Sequence, residues 1–188
     1  YSFRSPHSFT TKMLLDPRVL ILFAANALLL FLCLLVNSSL APLSLYLVLL
    51  GPMLVLPALY LNHRSFFICT LASGLWVDAA LPSAFGLFTC GFMVLGTGIA
   101  AARIRFRAEH NYHPILLAHA ANFGCILLLT FSEGRAHFSA PAFWAHVLTT
   151  TLLSHAALLI VAPWFFNLER LLFGLCHVET EPDDFPML

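Results

Sequence analysis

No charged side chain occurs between Arg18 and Arg64. Few folds can use so long an uncharged, apolar stretch. A small soluble domain leaves a large share of its surface in water, and this chain has little that water would accept. Only 10% of its residues are charged, against 60% hydrophobic, where an average soluble domain carries about 25% charge. The mean hydropathy of +0.88 points the same way. Lipid is the solvent that makes such a sequence sensible. A length of 188 residues suits one domain, and six spans of about 20 residues each would use about two thirds of it. The expected fold class is therefore all-α, a polytopic membrane protein with six transmembrane helices.

The spans can be placed from their punctuation. Asp16 is a good N-cap and Pro17 suits the first helical position, where its missing N–H costs nothing. The first span then covers 19–36 and ends in a turn at Asn37-Ser38-Ser39. Its apolar run is too long for a cleaved signal peptide, and Ser39-Leu40-Ala41 matches a cleavage site poorly. The second span, 40–61, contains Pro52 and Pro57, which remove backbone donors and bend it. The third covers 65–80. A tight Pro/Gly link leads to the fourth, 85–102, whose Gly86, Gly91, Gly96 and Gly98 predict a central, closely packed helix. The fifth covers 114–131 and the sixth 142–166. Beyond it, Phe166, Leu168, Leu171, Leu172 and Leu175 keep helical spacing beside Asn167, Glu169 and Arg170, as an amphipathic extension at the interface would. Residues 1–178 thus read as a single six-span domain, and 179–188 as an acidic, disordered tail.

Orientation follows from Lys and Arg. Six spans put Arg4, Lys12, Arg18, Arg64, Arg103, Arg105, Arg107 and Arg170 on one side and Arg135 alone on the other. Eight against one makes the basic side cytoplasmic and places both termini there. The Arg103–Arg107 cluster would also attract anionic headgroups. A net charge of zero gives no reason to expect nucleic acid.

Little in the spans suggests chemistry. Asp78 is the carboxylate expected within a span. It can anchor a helix end by accepting N–H groups from residues 81–86, or its charge can carry a function. His119 and Asn122, and likewise Thr151 and His155, share helix faces at spacings usual for polar groups that bond between helices. The cysteines form no Cys-x-x-Cys pair, and four lie in apolar runs, where cysteine acts as a small hydrophobe. Neither a nucleophile motif nor a phosphate loop nor a metal-ligand spacing stands out, so no catalytic residue, cofactor or metal is expected.

Residues 51–107 resemble the bacterial rod shape-determining protein MreD family. The pattern is a proline-rich second span with Pro52 and Pro57, then Arg64, then Gly74-Leu75-x-x-Asp78. A short link to Gly86-Leu87, a glycine-rich span with Gly91 and Gly96, and an arginine cluster complete it. The link itself differs, with Leu81-Pro82-Ser83 where the family often has glycine. The resemblance implies a non-catalytic scaffold of the cell-elongation machinery in the bacterial inner membrane. Its partner would be an MreC-like bitopic protein and, through it, an MreB-like filament and the peptidoglycan synthases. Pro52, Pro57, Arg64, Gly74, Asp78, Gly86, Gly91 and Gly96 become candidates for partner binding or structure, with a groove beside the bent second span as the expected partner surface. The family's fold is similar to the substrate-binding components of energy-coupling-factor vitamin transporters, which supplies a second function class. The alanines Ala24, Ala25 and Ala27 lack the Ala-x-x-x-Ala spacing common on the first span of those components.

Overall fold

The computed structural model describes residues 16–106 and 113–177. Arg4, Lys12, Arg107 and the acidic tail lie outside them, as do the side chains of Arg103 and Arg105. The described residues are helical without a strand. In chain order they form α1 (Pro17–Leu40), a short 3-10 turn (Ala41–Leu43), α2 (Pro52–Tyr60), α3 (His63–Ala80) and α4 (Leu87–Phe106). Then come α5 (His113–Glu133), a second 3-10 turn (Arg135–His137) and α6 (Pro141–Leu175). Three of these helices, α1, α5 and α6, are long and apolar enough to cross a membrane; α4 contains a shorter apolar stretch, Leu87–Ala102.

The helix starts follow local chemistry. Asp16 caps α1 by accepting from the Arg18 N–H at 3.0 Å, with Pro17 in the first turn. Asn62 caps α3 in the same way, its Oδ1 accepting from the Ser65 N–H at 2.8 Å. These contacts satisfy backbone donors that a helix start leaves free.

Four expectations need correction. The turn at 37–39 is helical: α1 runs on to Leu40, and Asn37 points into the bundle rather than breaking it. The stretch 40–61 is not a bent helix. It is an unwound segment, residues 45–50, followed by the nine-residue α2. The central element is α2, which packs against all five other helices and is buried from Pro52 to Ala58. By contrast α4 exposes Val94, Thr97 and Gly98. Finally, α6 continues unbroken through Pro163 to Leu175, and Glu169 does not lie on a polar outer face of its last turns. Glu169 is buried, while Leu171 and Leu175 are exposed. The inward stripe of α6 is Ser154, Leu158, Ala162, Phe165, Phe166, Glu169 and Phe173. This 3–4 spacing runs through the glutamate, so helical phase overrides the polarity of that one residue.

Candidate functional site

The most elaborate polar construction is a clamp around the unwound segment. Backbone groups inside a membrane must find partners within the protein, because lipid offers none. Residues 45–50 have no helix of their own, and side chains from three other helices supply the partners. Asn37 of α1 pairs with Leu47 in both directions: its Oδ1 accepts the Leu47 N–H at 2.7 Å and its Nδ2 donates to the Leu47 carbonyl at 2.8 Å. Ser154 of α6 accepts from the Val48 N–H at 2.9 Å. Asn122 of α5 donates to the Val48 carbonyl at 2.8 Å and accepts from Leu50 and Gly51 N–H at 2.9 and 3.1 Å.

Asn26 of α1 extends the clamp into α2. A proline has no N–H to give the carbonyl four residues earlier, so Pro57 leaves the Met53 carbonyl without its helical donor. The Asn26 amide provides one at 3.1 Å and also donates to Ser73 of α3 at 2.9 Å. Gly51 lets the segment pass close to α5: a Cβ there would sit 2.1 Å from the Ala118 carbonyl oxygen.

A second unit joins α3 to α4. Asp78 is buried at the end of α3, and its carboxylate caps the start of α4. Oδ1 accepts from Phe88 N–H at 2.8 Å; Oδ2 accepts from Thr89 N–H at 2.9 Å and from the Thr89 hydroxyl at 2.5 Å. Asp78 therefore does anchor a helix end, but on residues 88–89 rather than 81–86. The helix dipole adds to the attraction. Gly74 lies one turn before Asp78, where a Cβ would come within 2.7 Å of the Thr89 Cα. A Cβ at Gly91 would clash with the Leu128 side chain, and one at Gly96 would come within 3.0 Å of the Phe66 ring. Gly86 turns the link with a φ of +93°, a conformation that side chains disfavour. So Gly74, Asp78, Gly86, Gly91 and Gly96 all belong to α3, α4 and their link. Arg64 is exposed at the start of α3, apart from them. Pro52 and Pro57 are in the bundle centre, so the expected partner groove beside α2 is not present; that face is already covered.

Two further features lie between α5 and α6. His119 and His155 meet with their Nδ1 atoms 2.8 Å apart. The rings are inclined by only 18° with centroids 5.1 Å apart, too far for face-to-face contact, so they touch edge to edge. One Nδ1 must donate and the other accept. Both histidines thus bond between helices, as expected of polar groups on these faces, whereas Thr151 bonds back to the Val147 carbonyl of its own helix. Nearer the second 3-10 turn is a cavity of about 410 Å³. It is lined by Tyr46 and Val48 of the loop, Ile126 and Thr130 of α5, and Phe143 and His146 of α6, among others. Groups of three or more potential metal ligands do not occur among the described residues.

Sequence reading missed Asn26, Asn37 and Ser154 as structural partners and placed Asn122 only on a shared face with His119. The available sign was an amide isolated inside an apolar run, which needs a partner. Comparisons with protein-family models, with curated proteins and with solved structures find no match for this chain.

Proposed function

We propose that the chain is a non-catalytic membrane scaffold of the bacterial cell-elongation complex, holding an MreC-like bitopic partner. The observation that carries this reading is the assembly of the later part of the MreD-like motif, Gly74 to Gly96, around α4. Gly74, Asp78, Gly86 and Gly96 act in joining α3 to α4, and Gly91 lets α4 approach Leu128 of α5. A motif that builds a rigid helix pair fits a scaffold, whose work is to present a fixed surface.

In this reading the chain crosses the inner membrane six times, with both termini cytoplasmic. The unwound segment and α2 form one broken crossing. Six residues at up to about 3.3 Å each and nine helical residues at about 1.5 Å each reach about 30 Å, the thickness of the hydrocarbon core. The eight-to-one distribution of Lys and Arg sets the orientation. With α2 enclosed, the partner helix packs on an outer face of the bundle.

The test is co-purification in mild detergent with the MreC-like protein of the same organism, together with loss of rod shape on depletion. Stoichiometric recovery of that partner is expected. The cavity of about 410 Å³ favours one alternative, the solute-binding component of a vitamin transporter, because its size suits a small ligand. Recovery of an ATPase pair with a bound small molecule, and no bitopic partner, would replace the scaffold reading with that one.

A further inference from the structure

Glu169 is the one described carboxylate whose two oxygens are both buried and without a hydrogen bond. Its side chain is 0% exposed, enclosed by protein on the inward stripe of α6 between Phe165, Phe166 and Phe173. Burial of this kind does not depend on lipid. An ionised carboxylate enclosed without a partner is so unfavourable that such a group gives up its charge instead.

Among the described residues, no side chain gives Glu169 a hydrogen bond. Helix α6 packs against α1, α2 and α5. At the corresponding end of α1, Asp16 is engaged with the Arg18 N–H and the Ser65 hydroxyl; Arg18 gives no hydrogen bond to Glu169. Tyr60 of α2 and Arg170, the exposed neighbour of Glu169 on α6, give none either. On α5, His119 is occupied by His155. Cys69 of α3 lies within electrostatic reach of Glu169 but is itself a buried thiol. The same core holds another buried acceptor without a donor, Asn26 Oδ1, and an unpaired hydroxyl at Thr70.

A gap in the hydrogen-bond ladder of α6 stands close by. Pro163 lies inside α6, six residues before Glu169, and has no N–H for the Leu159 carbonyl. A helix bends most readily where its hydrogen-bond ladder is interrupted.

We propose that Glu169 is a proton-binding site of the bundle interior, and that release of its proton swings the last third of α6 outward about Pro163. With the proton bound, the carboxyl is a neutral side chain that the aromatic core accepts. Without it, the charge must reach water or a cation, and the segment after the hinge is the part free to move. This device is independent of the scaffold reading.

Infrared spectroscopy of the full chain in lipid bilayers tests the first half. A protonated-carboxyl stretch slow to exchange in heavy water is expected near neutral pH, absent from Glu169→Gln and lost as the pH rises. The second half is read by maleimide labelling of Cys69 with the other four cysteines replaced. Labelling should open in the wild type over the pH range in which the infrared band disappears, and stay closed in Glu169→Gln. Both Glu169→Gln and Glu169→Met should accumulate like the wild type, because the core needs only a neutral group of that size. An ionised carboxylate at every pH where the protein is folded would overturn the proposal. So would failure of both neutral variants to accumulate, which would mean an ion pair with a basic group. Identical labelling profiles in wild type and Glu169→Gln would remove the hinge.

Discussion

The segment 45–60 and helix α6 solve the same problem in opposite ways. Each must keep its backbone out of contact with lipid while still pairing every N–H and carbonyl. Apart from the Leu159 carbonyl, which Pro163 leaves without its helical donor, the 35 residues of α6 do so internally, and the helix can therefore sit at the edge with Leu148, Leu152, Leu159 and Ile160 exposed. Residues 45–50 cannot, so they occupy the centre, where Asn37, Asn122 and Ser154 reach them. Position in the bundle follows from hydrogen-bond self-sufficiency more than from hydrophobicity, since both stretches are apolar.

The largest effect that would break this comparison is expected at Asn122. Replacing it with leucine strands the Val48 carbonyl and the Leu50 and Gly51 N–H groups, at about 1–3 kcal/mol for each. Asn122→Leu should fail to accumulate as folded protein, measured by fluorescence-detected gel filtration in detergent. A monodisperse, wild-type-like peak would mean that the segment has other partners. Close approach comes next. Gly51→Ala and Gly74→Ala press a methyl group against backbone atoms at 2.1 and 2.7 Å, and overpacking of this kind costs about 1–3 kcal/mol. Gly98→Ala, inside α4, meets nothing within 4 Å and should raise the thermal midpoint through helix propensity, so the three together separate packing from helix propensity.

The cap on α4 is a smaller contribution. Asp78→Asn keeps an acceptor for the Phe88 N–H and should lose about 1 kcal/mol, as a weakened N-cap does. Asp78→Leu removes every contact and should lose roughly twice as much or more. An Asn variant that folds and accumulates normally but no longer supports rod shape would show that the charge has work beyond anchoring. The smallest effect is expected on the outside of α6. Ile160→Ala, at a side chain 78% exposed, should shift stability by no more than about 0.5 kcal/mol. A large loss there would mark a contact surface rather than a lipid-facing one.

What the sequence reveals and conceals divides along the same line. The start of α1 could be read to the residue, because Asp16 and Pro17 act on their own helix. The ends of α3 and α5 fall within two residues of expectation for the same reason. The unwound segment could not be read: Leu45 to Leu50 is as apolar as any span, and what holds it unwound comes from Ser154, 106 positions away. Glu169 was misplaced because a lone acid near a helix end usually faces water, and only the phase of the whole helix shows otherwise. Asp78 was legible as an anchor, but its partners were not, since they depend on how the link turns at Gly86.

The clamp also has a consequence for biogenesis. A ribosome delivers this chain from its N-terminus, so residues 45–50 emerge well before Asn122 and Ser154 exist. Asn37 alone is available early, and it serves only Leu47. Until α5 and α6 arrive, Val48, Leu50 and Gly51 must be sheltered, either in a temporary helix or by the insertion machinery, because lipid will not solvate them. The first crossings of the nascent chain therefore cannot reach their final arrangement in order of synthesis. The centre of the molecule is completed last, when its outermost helix closes on it.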